Sequence, residues 1–326
     1  MNRSEAARGP DLELVVCTHQ RAALLDRLLA SVGEAPVPEG VALAVLVVAN
    51  GCTDDTEAVV ERHAQLLAGR GIRVRLRHEP RLGKAHALNR ALGAVCGTHL
   101  VFVDDDHRLR PDFFRALVEG MRTHPGALLY CGRVLPDWTG EEPPWVRETG
   151  RWAIRPPPVP CQDWGETSRV LDGAGRLPGG GNLVVARTLA ARLGPFRTDL
   201  GPRGHDLYGG EDGEWLQRAL ARGLGVRYLP GVVQYHYVDP QRLRLGYLVH
   251  KAYVRSRIST GLEGRGLDRV PPYQYRKILG FAVRALFTPS SARRRYYLVR
   301  LAASLGELAG MREGRRPSRS GKREGA

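Results

Sequence analysis

The sequence predicts an α/β protein with a mostly parallel central sheet, followed by a helical extension. Short apolar runs alternate with stretches of helical periodicity through the first hundred residues. Those runs are apolar at consecutive positions, as in strands covered by helices on both faces. From Arg242 onward the pattern is helical. At 326 residues the chain exceeds the usual size of a single domain, so one large domain with an appended region is expected. A hydrophobic share of 43% beside 25% charged residues is that of a globular protein and excludes disordered or fibrous classes.

After an N-terminal tail (1–11), LELVVCTH (12–19) reads as a strand. Leu24, Leu25, Leu28, Leu29 and Val32 then recur at helical spacing. The buried run VALAVLVVA (41–49), a helix over 54–68, the strand IRVRLRH (72–78), a helix over 84–95 and the strand HLVFVD (99–104) continue the alternation. Residues 136–181 are rich in Pro and Gly and hold four of the five tryptophans, so they form a long functional loop or small insert. Order returns with NLVVAR (182–187), a helix near 212–222 and the strand-like VRYL and VVQYHY. Helices are expected over about 242–258, 275–287 and 293–310, before a basic, disordered tail at 312–326. The resulting division is a main α/β domain over 12–240 and a basic amphipathic extension over 241–311.

The net charge of +15 is not evenly spread. Residues 1–240 carry 29 basic and 29 acidic side chains, whereas residues 241–326 carry 20 and 5. The extension therefore admits three readings: helices packed with Arg facing water, contact with an anionic membrane surface, or a nucleic-acid stripe. No nucleic-acid module is visible, which disfavours the last. The longest apolar run, Val41 to Ala49, is half the length of a membrane-spanning helix, and MNRSEAARGP lacks a secretory apolar stretch. A cytosolic protein is expected, peripheral to the inner membrane face if the second reading holds. Five widely spaced cysteines without a C-x-x-C pair suggest reduced thiols.

In open parallel sheets ligands bind at the carboxyl ends of strands, and Thr18, Asn50 and Asp104 fall at such ends. Asp104, Asp105 and Asp106 close an apolar run, and three adjacent carboxylates call for a cation. Either they cap a turn, or alternate carboxylates hold Mg²⁺ or Mn²⁺ at a diphosphate. Glu211 and Asp212 are either an acidic helix N-terminus or a catalytic pair. His236 is a structural strand histidine or a further metal ligand. His205 lies in a Gly-rich loop that either closes over substrate or is a mobile surface loop, the second reading being preferred. Gly179 to Gly181 match neither a dinucleotide fold nor a P-loop, and the tryptophans of the insert either stack on a sugar or pack the insert.

The blocks LVVCTHQRAALLDRLLASV, VLVVANGCTDDTEAVVER, RLGKAHALNRALGAV, VFVDDDHRLRP, GGGNLVVARTLAARLGPF and GGEDGEWLQRALARG, in that order, resemble those of family 2 glycosyltransferases with the GT-A fold. The resemblance covers roughly residues 12–240 and implies an inverting enzyme using a nucleotide-sugar, UDP- or GDP-linked, and a divalent metal, Mg²⁺ or Mn²⁺. It implies a saccharide or lipid-linked acceptor. Carried over, the D-x-D motif falls on Asp104 and Asp106 as metal ligands, Asp106 preferred, with Asp104 or Asp105 near the ribose. Thr18, Asn50, Gly83, Lys84 and Asn89 would line the nucleotide. Asp212 becomes the general base, with Glu211 beside it, and His236 joins the metal. Gly181 and Asn182, with Trp164, would face the acceptor. One departure is Ala49, where the family often has an Asp that reads the base. Against this reading stand a nucleotidylyltransferase, whose opening Gly-rich signature CTHQRAALL lacks, a fold-retaining binding or scaffold protein without catalysis, and a basic nucleic-acid binder.

Overall fold

The computed structural model describes residues 9, 11–202, 209–263 and 270–313. His205 and the basic tail beyond residue 313 lie outside the described residues. The alternation continues through β1 (Leu12–Thr18), α1 (Ala22–Glu34), β2 (Leu43–Asn50), α2 (Thr56–Ala68), β3 (Arg73–Glu79), α3 (Lys84–Leu92) and β4 (His99–Asp104). Then come β5 (His107–Leu109), α4 (Phe113–Thr123), β6 (Leu129–Asp137), β7 (Arg169–Leu171), β8 (Asn182–Ala186), α5 (Arg187–Leu193), α6 (Glu211–Leu220) and β9 (Val226–Tyr237). Three helices follow: α7 (Leu245–Glu263), α8 (Pro272–Phe287) and α9 (Ser291–Glu313).

The sheet order is β3-β2-β1-β4-β8-β6-β9-β5, with β7 also paired to β9. β1 to β4 run parallel, β8 opposes β4 and β6, and β9 follows β6 in parallel, so β1, β2, β3, β4, β6 and β9 share one direction. Every residue of β2 is buried. Alternate residues feed two cores: Leu14, Val16, Val45 and Val47 pack with α1 and α2, while Val15, Leu46 and Val48 pack with α3 and Trp215 of α6. That two-sided burial is what makes the strands read as unbroken apolar runs.

The register brings the polar strand ends level. Cys17 of β1 lies opposite Asp104 of β4, and Thr18 lies opposite Ala49 of β2. VRYL and VVQYHY, two strand signals in the sequence, are one strand, β9, running through Pro230 and Gly231. Across it, His107 of β5 sits directly opposite His236. β6 carries a register shift between Cys131 and Arg133, where a Cβ on Gly132 would crowd Val232 O and Asn182 Nδ2.

The chain divides into two compact units: Met1–Asp137 with Pro160–Tyr237, and Trp138–Val159 with Val238–Ala326. The Pro- and Gly-rich segment is thus shared. Residues from Pro160 return to the sheet, with Gln162 pairing to Val134 through backbone hydrogen bonds. Trp138 and Trp145 pack around buried Val159, Val238 and Leu243. Trp152 meets Tyr296 and Tyr297 of α9 edge-on at 5.5 and 5.6 Å, and the Arg295 guanidinium lies 4.3 Å from the Trp145 ring centre. α7 and α9 cross closely at glycines, since a Cβ on Gly306 would strike Tyr253 O and one on Gly310 would strike Arg257 O. Among the described residues no helix is long and apolar enough to cross a membrane.

Candidate active site at the carboxyl edge of the sheet

The ends of β1, β2 and β4 supply the polar floor of the site. Asn50 closes the β2 edge structurally: its Nδ2 donates to Glu79 O (2.9 Å) and Arg81 O (2.7 Å), and its Oδ1 accepts from Gly83 N (2.9 Å). Those bonds fix the turn that starts α3. Gly83 adopts φ 134°, a left-handed value that favours glycine, and Lys84 becomes the first residue of the helix. Asn89, one helical turn on, clamps Phe196 through Nδ2 to its O (2.8 Å) and Oδ1 from its N (2.7 Å).

The three aspartates separate. Asp104 Oδ1 accepts from Lys84 Nζ at 2.6 Å. Burial alone would raise the pKa of Asp104, but Lys84, His107 and His236 hold it below the ordinary carboxylate range. Burial likewise opposes the charge on Lys84, and Asp104, Glu211 and Asp212 overcome it, raising its pKa above that of a free lysine. Asp105 is buried, accepting from Thr18 Oγ1 (2.8 Å) and Arg21 Nη1 (2.9 Å). Burial pushes Asp105 up to about 6; Arg21 works against that rise and neighbouring Asp106 adds to it.

Asp106 faces a different environment. Arg21 Nη1 approaches its Oδ2 at 3.3 Å, His236 Nε2 lies 3.7 Å from Oδ2, and His107 Nε2 lies 3.9 Å from Oδ1. One ligand atom from each of Asp106, His107 and His236 falls within 4.8 Å of the others. His236 Nδ1 donates to Tyr237 O (2.6 Å), and a carbonyl can only accept, so in the neutral ring Nε2 is the bare nitrogen. His107 Nδ1 donates to Gln234 Oε1 (2.6 Å), turning its own Nε2 toward the same carboxylate. Burial depresses the His236 pKa, favouring the neutral ring a metal requires, although Asp106 pulls the other way. One carboxylate oxygen and two oriented imidazole nitrogens form a donor set that fits a divalent cation.

The second acidic pair begins α6. Asp212 Oδ2 accepts from Gly180 N and its Oδ1 from Gly213 N, both at 2.7 Å. A carboxylate keeps further lone pairs after two such bonds, so Asp212 stays able to accept a proton. Glu211 is buried, and burial raises its pKa, against the pull of Lys84. A cleft lined by Cys17, Lys84, Asp104, Gly180, Glu211 and Asp212 joins the two acidic clusters. The Cys17 thiol, pushed up by burial to about 12, is no nucleophile.

Among the remaining sequence-predicted residues, Gly181 lies against the site. A Cβ there would sit 2.8 Å from His107 Cε1 and would also strike Asp104 Oδ2. Asn182 is fully buried, and its Nδ2 binds Arg133 O (2.9 Å) and Val232 O (3.2 Å), spanning the β6 irregularity. Trp164 packs edge-on against Tyr228 with ring centres 5.2 Å apart. Asp104, expected as a metal ligand, is held by Lys84 and stands outside the Asp106, His107, His236 group. Arg21, His107 and Gln234 are site residues that the sequence reading missed. His107 was one position beyond the aspartate run, but only the β5–β9 pairing reveals its return to Asp106.

The family described as Glycosyl transferase family 2 matches residues 13–174. The succinoglycan biosynthesis protein ExoM of Rhizobium meliloti (strain 1021) is 25% identical over 313 residues, covering 92% of each chain. The mannosyltransferase PcManGT from Pyrobaculum calidifontis, solved with GDP-Man and Mn²⁺, superposes with a TM-score of 0.55 at 20% identity over 93% of this chain and 86% of its own. S. aureus TarS superposes with a TM-score of 0.53 at 15% identity, and the chain covers 93% of itself but only 55% of that longer protein. TarS 1–349 in complex with UDP-GlcNAc gives a TM-score of 0.51 at 15% identity, with 93% and 90% covered. The last three likenesses are of fold.

Proposed function

Since the chain belongs to the family 2 glycosyltransferases, we propose that it is an inverting, metal-dependent enzyme that moves a sugar from a UDP- or GDP-sugar to a hydroxyl of a saccharide or lipid-linked saccharide. The observation that carries this reading is that one glycine segment touches both acidic sites: Gly180 N holds the Asp212 carboxylate, and Gly181 lies against Asp104 and against His107 of the metal-type donor set. Asp106, His107 and His236 are the residues that would hold Mg²⁺ or Mn²⁺. When bound, such a cation neutralises charge on the departing diphosphate.

The protein's own groups carry the rest. Lys84, kept cationic among Asp104, Glu211 and Asp212, adds positive charge on the leaving-group side of the cleft. Thr18 and Arg21 fix Asp105, which with Asp104 is placed for the nucleotide moiety. Gly83 and Asn50 define the turn beneath it, and Asn89 secures α3 to the segment at Phe196. Asp212 is the general base. The acceptor hydroxyl oxygen bonds to the anomeric carbon as the carbon–oxygen bond to the β-phosphate breaks, the bonding pair leaves with the nucleoside diphosphate, and the hydroxyl proton goes to Asp212. One displacement inverts the anomeric carbon. Gly180 and Gly213 aim the carboxylate, and glycine at 181 leaves open the space between Asp104 and His107. Gly181, Asn182 and Trp164 remain the acceptor-side segment in this reading, Asn182 and Trp164 acting by bracing it.

Asp212→Asn tests the assignment. Transfer is expected to fall by about 10²–10⁴-fold, with nucleotide affinity retained. The product of the parent enzyme, read by the proton coupling at its anomeric centre, is expected to have the configuration opposite to the donor. Transfer by the variant at the parent rate would remove the base from Asp212, and retained configuration would remove the single displacement.

A further inference from the structure

Amphipathic helices at the edge of a soluble protein ordinarily bury their apolar stripe. α8 reverses this. Its inward side is secured to α9: the buried Gln274 donates through Nε2 to Ser304 O (2.7 Å) and Glu307 Oε2 (2.9 Å), and Lys277 Nζ pairs with Glu307 at 2.6 Å. The outward side carries Leu279, Val283, Leu286 and Phe287, exposed to 65, 46, 72 and 75%. Their spacing of four, three and one residues sets them on one helical face. Tyr273 and Tyr275, also exposed, mark its N-terminal end, and the exposed Arg276 and Arg284 flank the apolar positions. A lone exposed leucine means little, whereas a contiguous apolar face of this kind marks a contact surface.

Charge decides what contacts it. Residues 270–306 contain seven basic side chains and no acidic one. A second copy pairing through this face would set like charges against each other. A leaflet of anionic lipid satisfies both features, since the acyl boundary takes the apolar stripe while phosphates take the arginines. We infer that α8 is a membrane-docking helix, lying in the interface of an anionic bilayer with Leu279, Val283, Leu286 and Phe287 inserted.

The inference does not depend on the nucleotide or metal, so its failure is separable from that of the transferase reading. The test is co-sedimentation of the full chain with vesicles of phosphatidylcholine alone and of phosphatidylcholine mixed with phosphatidylglycerol. The parent is expected to partition at least about tenfold more strongly into the anionic vesicles, and less so as salt rises. The triple variant Leu279→Glu, Leu286→Glu, Phe287→Glu is expected to lose at least about tenfold of that partition, because three exposed apolar anchors become charged. Leu66→Glu, changing a residue of α2 that is 62% exposed, is expected to bind as the parent does. Equal partition into both vesicle types, or parental binding by the triple variant, would overturn the inference. So would a dimer that the triple variant dissolves without vesicle binding in the parent, which assigns the face to a second copy.

Discussion

Asp104, Asp105 and Asp106 are neighbours in sequence, yet each meets a different set of partners: Lys84, then Thr18 with Arg21, then the imidazoles of His107 and His236 with a longer approach from the same Arg21. Glu211 and Asp212, across the cleft, are divided instead by backbone, with Asp212 held by two amides and Glu211 buried behind it. The difference bears on what each site can do. A carboxylate already matched by a side-chain cation is electrostatically satisfied, so Asp104 and Asp105 shape the site. Asp106 has only the longer share of Arg21, 3.3 Å against 2.9 Å for Asp105, and its other neighbours are imidazoles that are neutral in their metal-binding form, so it keeps a demand for positive charge. Asp212 is oriented instead by amides that carry no net charge.

This contrast breaks most visibly at His107. His107→Ala is expected to weaken Mn²⁺ binding, followed by calorimetry, by at least about tenfold, since it removes one of two oriented nitrogens. Asn89→Ala, which alters only the clamp on Phe196, is expected to leave that affinity unchanged. Equal metal affinity in parent and His107→Ala would take His107 out of the site.

Lys84→Met sharpens the comparison by removing the cation that matches Asp104. Loss of the cation facing Asp104 is expected to lower the urea unfolding free energy by about 2 kcal/mol near neutral pH, the scale of a charged hydrogen bond left half made. In the double variant Lys84→Met, Asp104→Asn much of the loss is expected to return, as the unpaired charge is gone. Additive losses would mean that the pair is not coupled.

The smallest effect is the pH dependence from His236. Its native pKa lies below the ordinary 6.5, because burial favours the neutral ring. Between the native value and 6.5 the unfolded chain binds more protons than the folded one, so stability from this group is complete above 6.5 and declines as pH falls through that window. The accompanying loss of metal affinity is expected below pH 6.5, not above it. In titrations across this range, His236→Gln is expected to lose this group's share of the slope in metal-free stability, and an unchanged slope would contradict the assignment.

Much of the fold was legible because two-sided burial writes itself into consecutive apolar residues: β1, β2 and β4 are visible as runs, and α1 and α2 as periodicities. β5 and β7, three residues each, and β6 were not read as strands, since short runs beside Pro- and Gly-rich sequence carry no period. At the site, the acidic runs were legible from local charge density. The partners that distinguish one aspartate from another were not. Arg21 lies 84 residues before Asp105, and Gln234 lies 127 residues beyond His107, so only strand order and register bring them together. Polar side chains at strand ends also look alike in sequence whether they face a ligand or brace a turn, as the bonds of Asn50 and Asn182 illustrate. The apolar stripe of α8 was legible as a pattern, but its outward orientation depends on which face Gln274 fastens to α9.

The account rests on Asp106 as the carboxylate that needs a cation. Calorimetric titration of UDP and of GDP into the parent protein and Asp106→Asn, each with and without Mn²⁺, tests that directly. One nucleotide is expected to bind the parent strongly only with Mn²⁺, and Asp106→Asn is expected to lose that metal-dependent increment. Binding of equal strength with and without Mn²⁺, or an unchanged increment in Asp106→Asn, would contradict it.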